Sequence, residues 1–249
     1  MTALILALVA GAVVGLALGG LGGGGSVLAV PALIYLLGFT PAEATTASLV
    51  IVTLTSVTAL TGHARDGNVI WRTGLLFAAA GIVPAMAAGA AAGHLPQALL
   101  TVAFSVIAAL AAVRMLRPAP AVAASGAQVN AGKAGAAGAG LGAVTGFLGV
   151  GGGFLAVPAL VSVLRLPMRR AVGTSLLVIT INSLAALAAR AGTGTHLDWA
   201  VIAPFTGAAV LGAWDGKRLS KRLKGGTLQR VFAYVLLAVA AFMLVDAIF

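Results

Sequence analysis

Gly22, Gly24, Gly25 and Ser26 stand directly before the apolar stretch Val27 to Leu33, and Gly149, Gly151, Gly152 and Gly153 stand directly before Phe154 to Leu160. The two stretches, Gly22 to Leu33 and Gly149 to Leu160, lie 127 positions apart and agree at nine of twelve positions. A glycine cluster that feeds a helix start can do one kind of chemistry without any charged side chain. The first N–H groups of the helix have no partner within it, and the positive end of its dipole favours an anion. Missing Cβ atoms let a ligand approach the backbone and let the chain turn through left-handed conformations.

The segment after each cluster repeats a polar set. Ser48 corresponds to Ser175, Thr53 to Thr180, Thr55 to Asn182 and Ser56 to Ser183. The seven-residue spacing places Ser48 with Thr55, and Ser175 with Asn182, on one helix face two turns apart. Ser48, Thr55, Ser175 and Asn182 are therefore the side chains expected to complete the coordination of a small oxyanion held by the glycine amides. Two plainer uses compete with that reading: close helix packing for the glycines, and hydrogen bonding to the preceding turn for the hydroxyls. Gly11, Gly15 and Gly19, spaced by four, read as packing. Pro31 and Pro158, each five positions after the last residue of its cluster, read as structural.

Other chemistries are poorly supplied. The chain has no cysteine, which excludes disulfides and thiolate chemistry. Its five acids, Glu43, Asp66, Asp198, Asp215 and Asp246, all fall near the ends of expected helices, so a proton relay of intramembrane carboxylates has no material. His63, His94 and His196 are expected at interfaces as solvated or capping groups. No catalytic residue, metal site or cofactor is expected.

The elements that position these residues follow from composition. Of 249 residues, 61% are hydrophobic and 8% charged, with a mean hydropathy of +1.11, far from the roughly 25% charged residues of soluble proteins. Charge-free runs cover Met1 to Ala42, Ala44 to Gly62, Thr73 to Val113, Ala134 to Leu164 and Ala171 to Ala189, and about 20 apolar residues of helix span a bilayer. The expectation is an all-α integral membrane protein whose partner is the lipid bilayer. The net charge of +10 is read as a topology signal in connecting segments rather than a nucleic-acid surface. Residues 1–18 lack a basic leader region and a cleavage motif, and are read as part of the mature fold.

Two repeats are expected. Repeat 1, residues 1–117, holds a hairpin at 3–37 broken at Gly19 to Ser26, then helices at 43–62, 70–93 and 97–117. A linker at 118–133 leads to repeat 2, residues 134–249, with a hairpin at 134–164 and helices at 170–189, 198–216 and 227–248. If both broken segments crossed fully, the fifteen Lys and Arg would divide six against nine between the two sides. If each is a re-entrant hairpin, fourteen share one face and Arg190 alone takes the other, which agrees with the positive-inside rule. Three crossings per half invert the second repeat relative to the first, and such repeats place their interrupted helices near mid-bilayer for alternating access. The alternative architecture is eight full spans in two parallel repeats. The hairpin reading places both termini outside and the Lys217 to Lys224 loop in the cytoplasm. Trp71, Trp199 and Trp214 read as interfacial anchors.

The doubled G-x-G-G-G-x-x-x-x-P pattern, strict at Gly149 to Pro158 and with Ser26 replacing the last glycine of the first copy, resembles the TauE/SafE family of sulfite and organosulfonate exporters. So does Gly173-Thr174-Ser175-Leu176, which opens the next helix; the first copy departs there, with Ala47-Ser48 in place of Thr174-Ser175. The resemblance spans essentially the whole chain. It implies a secondary transporter of the cytoplasmic membrane that moves sulfite, thiosulfate or a small organosulfonate outward, with Thr174 and Ser175 at the substrate. An anion channel, or a non-transporting assembly subunit whose glycines only pack, is the competing function. The oligomeric state is open, a homodimer included.

Overall fold

The computed structural model describes residues 2–92, 97–116, 131–147, 153–190 and 197–248. Those residues are helical throughout apart from short turns. α1 (Thr2–Leu21) is followed by α2 (Gly24–Pro31), a π-helical turn (Ala32–Leu36), α3 (Pro41–Arg65), α4 (Trp71–Ala92) and α5 (Gln97–Leu116). α6 (Ala131–Phe147), α7 (Gly153–Ser162), α8 (Met168–Arg190), α9 (Trp199–Arg222) and α10 (Gly225–Ile248) complete the chain. The expected linker, 118–133, lies outside the described residues up to position 130; Ala131 to Lys133 already belong to α6.

Among the described residues six helices are long and apolar enough to cross a membrane: α1, α3, α4, α5, α8 and α10. α9 has the length, but Asp215, Lys217, Arg218, Lys221 and Arg222 crowd its second half. Much of the outer surface is apolar, with Ile5, Val9, Val83, Met86, Leu110 and Leu211 all exposed. In water such a surface would aggregate; facing lipid, it is the expected exterior. The chain is a multi-pass membrane protein.

The first broken segment folds back on itself. α1 ends at Leu21, Gly22 turns with φ +70°, and α2 starts at Gly24. The break is narrower than the sequence suggests, because Gly19 to Leu21 remain helical and only Gly22 and Gly23 leave the helix. Gly25 packs against the backbone of Leu18, so the returning arm starts against the outgoing one. The arms are unequal: twenty residues go out and thirteen, α2 plus the π turn, come back. Pro31 causes part of that difference in shape. Lacking an N–H, and with a ring that pushes away the preceding carbonyl, it breaks the i→i−4 ladder where the π turn takes over.

Both returning arms stop in the same way. Phe39 N donates to Leu33 O at 3.1 Å, and 127 residues later Leu166 N donates to Leu160 O at 3.0 Å. The residue before each donor is left-handed: Gly38 at φ +72° in the first copy, Arg165 at φ +53° in the second. α3 then begins with Thr40 as N-cap, a capping box with Glu43 and Pro41 in the first turn, a combination that fixes a helix start.

Small residues hold the long helices together. Gly11, Gly15 and Gly19 of α1 lie against the backbones of Phe205, Ala209 and Ala213 of α9, which sets the two helices parallel in direct contact. Gly138 and Gly142 of α6 lie likewise against Phe77 and Gly81 of α4. The neighbour relations repeat: α1 packs on α9 as α6 packs on α4, α3 on α9 as α8 on α4, and α2 on α10 as α7 on α5. α3 and α8 cross antiparallel at the centre, joined by Ser56 with Thr180 and by Thr46 with Arg190. Phe104 and Phe154, with ring centroids 4.8 Å apart, fill the core between α5 and α7.

The end of α9 differs from expectation. Lys217 to Arg222 form its last turns rather than a loop, and only Leu223 and Lys224 separate it from α10. The reason is the i,i+4 spacing of Lys217 and Lys221, which puts both ammonium groups on the face that meets Asp66.

Candidate anion site at the helix tips

The starts of α2 and α7 meet. A Cβ on Gly23 would lie 2.1 Å from Gly153 O, and one on Gly153 would lie 2.9 Å from Ser26 Oγ and 2.8 Å from Ile179 Cγ1. Only glycine permits this approach of two backbones. Gly22 completes the cluster: a Cβ there would sit 2.6 Å from Ser175 Oγ. The structure thus brings together Gly22, Ser26, Gly153 and Ser175 from the expected set, with Gly24 and Gly25 opening α2 beside them. Gly149, Gly151 and Gly152 lie outside the described residues.

Each hydroxyl of the set has a proton partner of its own. Ser26 Oγ donates to Gly23 O at 2.7 Å and Ser175 Oγ to Val172 O at 2.8 Å. Ser48 Oγ donates to Thr45 O at 2.8 Å, and Thr55 Oγ1 to Ile51 O at 2.6 Å. Back-bonding to the preceding turn is therefore their state here. Thr174 does not reach the tips; its Oγ1 accepts from Ile70 N at 3.1 Å and fixes the start of α4. Asn182 differs from all of these. Its Oδ1 is buried with no hydrogen-bond partner, and it lies on the face of α8 that carries Ser175 and Ile179, one turn beyond Ile179. A half-turn of the amide about its last torsion exchanges acceptor for donor.

At the turn's base, α1 ends beside a charged cluster. His63, expected at an interface, is instead buried, and its Nε2 lies 3.0 Å from Gly19 O, one of the carbonyls that the end of α1 leaves over. Beyond it, Asp66 receives Lys217 Nζ at 3.0 Å and Lys221 Nζ at 2.9 Å. Burial disfavours the Asp66 charge, but the hydrogen bonds and charges of Lys221 and Lys217 outweigh it and hold the carboxyl below its ordinary value. Arg169 donates to Lys221 O and Leu223 O at 3.0 and 3.1 Å, closing the same end. Sequence reading missed this clamp; its trace there is the i,i+4 lysine pair following a lone acid after α3. His94 and His196 lie outside the described residues.

Comparison with known proteins finds relatives named as membrane transporters. A 35% identical protein of Xylella fastidiosa strain 9a5c, named a probable membrane transporter protein, aligns with 97% of this chain and 95% of its own length. Its counterpart in strain Temecula1 is 34% identical over the same shares, and the probable membrane transporter protein YunE of Bacillus subtilis is 28% identical over 44% of this chain and 40% of its own. No solved structure matches. The model of the sulfite exporter TauE/SafE family matches residues 7–243, and the chain belongs to that family of membrane transporters.

Proposed function

We propose that the protein exports a small sulfur-containing oxyanion, such as sulfite, thiosulfate or an organosulfonate, across the cytoplasmic membrane, binding it between the two glycine tips. The observation that carries this reading is the meeting of Gly23 and Ser26 with Gly153 beside the antiparallel crossing of α3 and α8. Two helix starts converge there, and the described neighbours of Gly22, Gly23, Ser26 and Gly153 include no cation, which suits transit; a buried arginine would bind the anion tightly and cost several kcal/mol of desolvation. Gly149, Gly151 and Gly152 complete the second tip in this reading. Asn182 supplies a side-chain donor from α8, and Ser48, Thr55 and Ser175 are reserve donors that release their carbonyls when an anion arrives. Thr174 acts at one remove, holding α4 against α8.

The tips touch in this conformation, so passage requires them to part. The exchange of neighbours between the halves, together with the antiparallel α3 and α8, supports an inverted pair of repeats that rock about that crossing. Arg65, Arg169, Lys217 and Lys221 gather at one end while Arg190 bonds Thr46 at the other, which supports a cytoplasmic position for the first end. Purified protein in proteoliposomes tests the reading: sulfite efflux that saturates and depends on Asn182 supports it. Current that follows voltage without saturation marks a channel instead, and absent flux for the whole sulfur panel refutes the substrate class.

A further inference from the structure

Between α3 and α9 lies a cavity of about 300 Å³ lined by Thr58, Gly62, Arg65, Trp214, Lys217 and Arg218, with Lys221 beside them. Its polar end carries four cations. Asp66 pairs with the two lysines and Asp215 pairs with Arg218 at 3.5 Å, so two positive charges are left unbalanced. Towards the starts of the two helices the surface is apolar and bare: Leu54 and Val57 of α3 are 50% and 41% exposed, and Leu211 of α9 is 72% exposed. Leu54, Thr58, Thr61 and Arg65 follow helical spacing along α3, and Leu211, Trp214 and Arg218 along α9, so the bare aliphatic surface lies in line with the basic cavity. Trp214, 56% exposed, stands at the junction, the level at which an amphipathic ring meets headgroups.

The geometry points to a binding site for one anionic phospholipid. A soluble oxyanion would need only the basic end. A diacyl lipid uses both, its phosphate among Arg65, Arg218 and the lysines and an acyl chain along Leu54, Val57 and Leu211. Basic pockets between membrane helices take anionic headgroups in this manner. Lys217 links the site to the rest of the molecule, since its Nζ also bonds Asp66 and its stem packs on Gly62.

Native mass spectrometry of the detergent-purified chain titrated with phosphatidylglycerol or phosphatidylcholine tests the assignment. The expected result is retention of one phosphatidylglycerol with a preference of about tenfold, a gap of roughly 1.4 kcal/mol. Removing two exposed charges from the cavity, in the double variant Arg65→Gln with Arg218→Gln, abolishes that preference. Removing two charges elsewhere, Arg222→Gln with Lys224→Gln, keeps it. Equal losses in both variants would reduce the effect to general surface charge and overturn the site. Displacement of the lipid by millimolar glycerol 3-phosphate or sulfite would assign the cavity to a soluble anion and overturn it as well.

Discussion

Two glycine groups stand only three residues apart on the first arm and do opposite things. Gly11, Gly15 and Gly19 are helical, and each presses its missing side chain against an α9 carbonyl: Cβ atoms would lie 2.3, 1.9 and 2.0 Å from the oxygens of Phe205, Ala209 and Ala213. Gly22 has left the helix with φ +70°, and Gly23 meets the other half of the molecule at Gly153. The first group is a seam and the second a turn that brings two helix starts together. Spacing separates them: every fourth residue tracks a helix face, while adjacent glycines release the backbone.

Breaking the seam has the largest expected effect. Gly15→Leu drives a side chain into the Ala209 backbone, where no rotamer relieves it, and costs about 3 kcal/mol or more. The readout is loss of a monodisperse peak in detergent chromatography. Gly22→Ala is milder: a left-handed alanine costs about 1–2 kcal/mol, and its methyl need displace only the Ser175 hydroxyl, so the protein folds with a lower melting temperature. If Gly22→Ala is as damaging as Gly15→Leu, the distinction between seam and turn fails.

The duplicated stop of the returning arms sharpens the same contrast. Arg165 occupies at φ +53° the position that Gly38 fills in the first copy. Arg165→Gly removes that strain and is expected to raise stability by up to about 1 kcal/mol, visible as a higher thermal midpoint.

The smallest effect belongs to the clamp. Asp66→Asn frees Lys217 and Lys221 at a partly exposed site and should cost less than about 1 kcal/mol. The sign with pH follows from the depressed carboxyl. Asp66 is more acidic folded than unfolded, so its stabilisation is complete above the ordinary value of 3.8 and is lost as pH falls below it through the folded value. Wild type and Asp66→Asn therefore converge in stability in acid, and a difference that grows there would contradict the clamp.

Much of this organisation was legible in the residues. The repeat offset pointed to the break in the first arm, the four-residue glycine spacing marked the seam, and long charge-free runs marked membrane helices. Three features were not. The last turns of α9 look like a basic loop until Asp66 is brought to them from 151 positions earlier. His63 looks like an interfacial residue, because nothing local shows that α1 will end with a spare carbonyl beside it. The hydroxyls of Ser48, Thr55 and Ser175 could face a ligand or their own helix; spacing cannot choose between these, and here they bond backward.

Thermal stabilisation of the purified protein by sulfite, in wild type and Gly153→Ala, tests the tip site most directly. The added methyl meets only side-chain atoms, Ile179 Cγ1 and Ser26 Oγ, so the variant is expected to fold. Sulfite at 100 times its dissociation constant should stabilise wild type by about 2.7 kcal/mol, with thiosulfate, sulfate, sulfoacetate and taurine ranking the substrate class. Gly153→Ala, whose methyl makes Ile179 and Ser26 shift, should fold with a lower unliganded midpoint and lose the response. A full response in Gly153→Ala, or none from wild type to any of the five compounds, would contradict a sulfur oxyanion held between the tips.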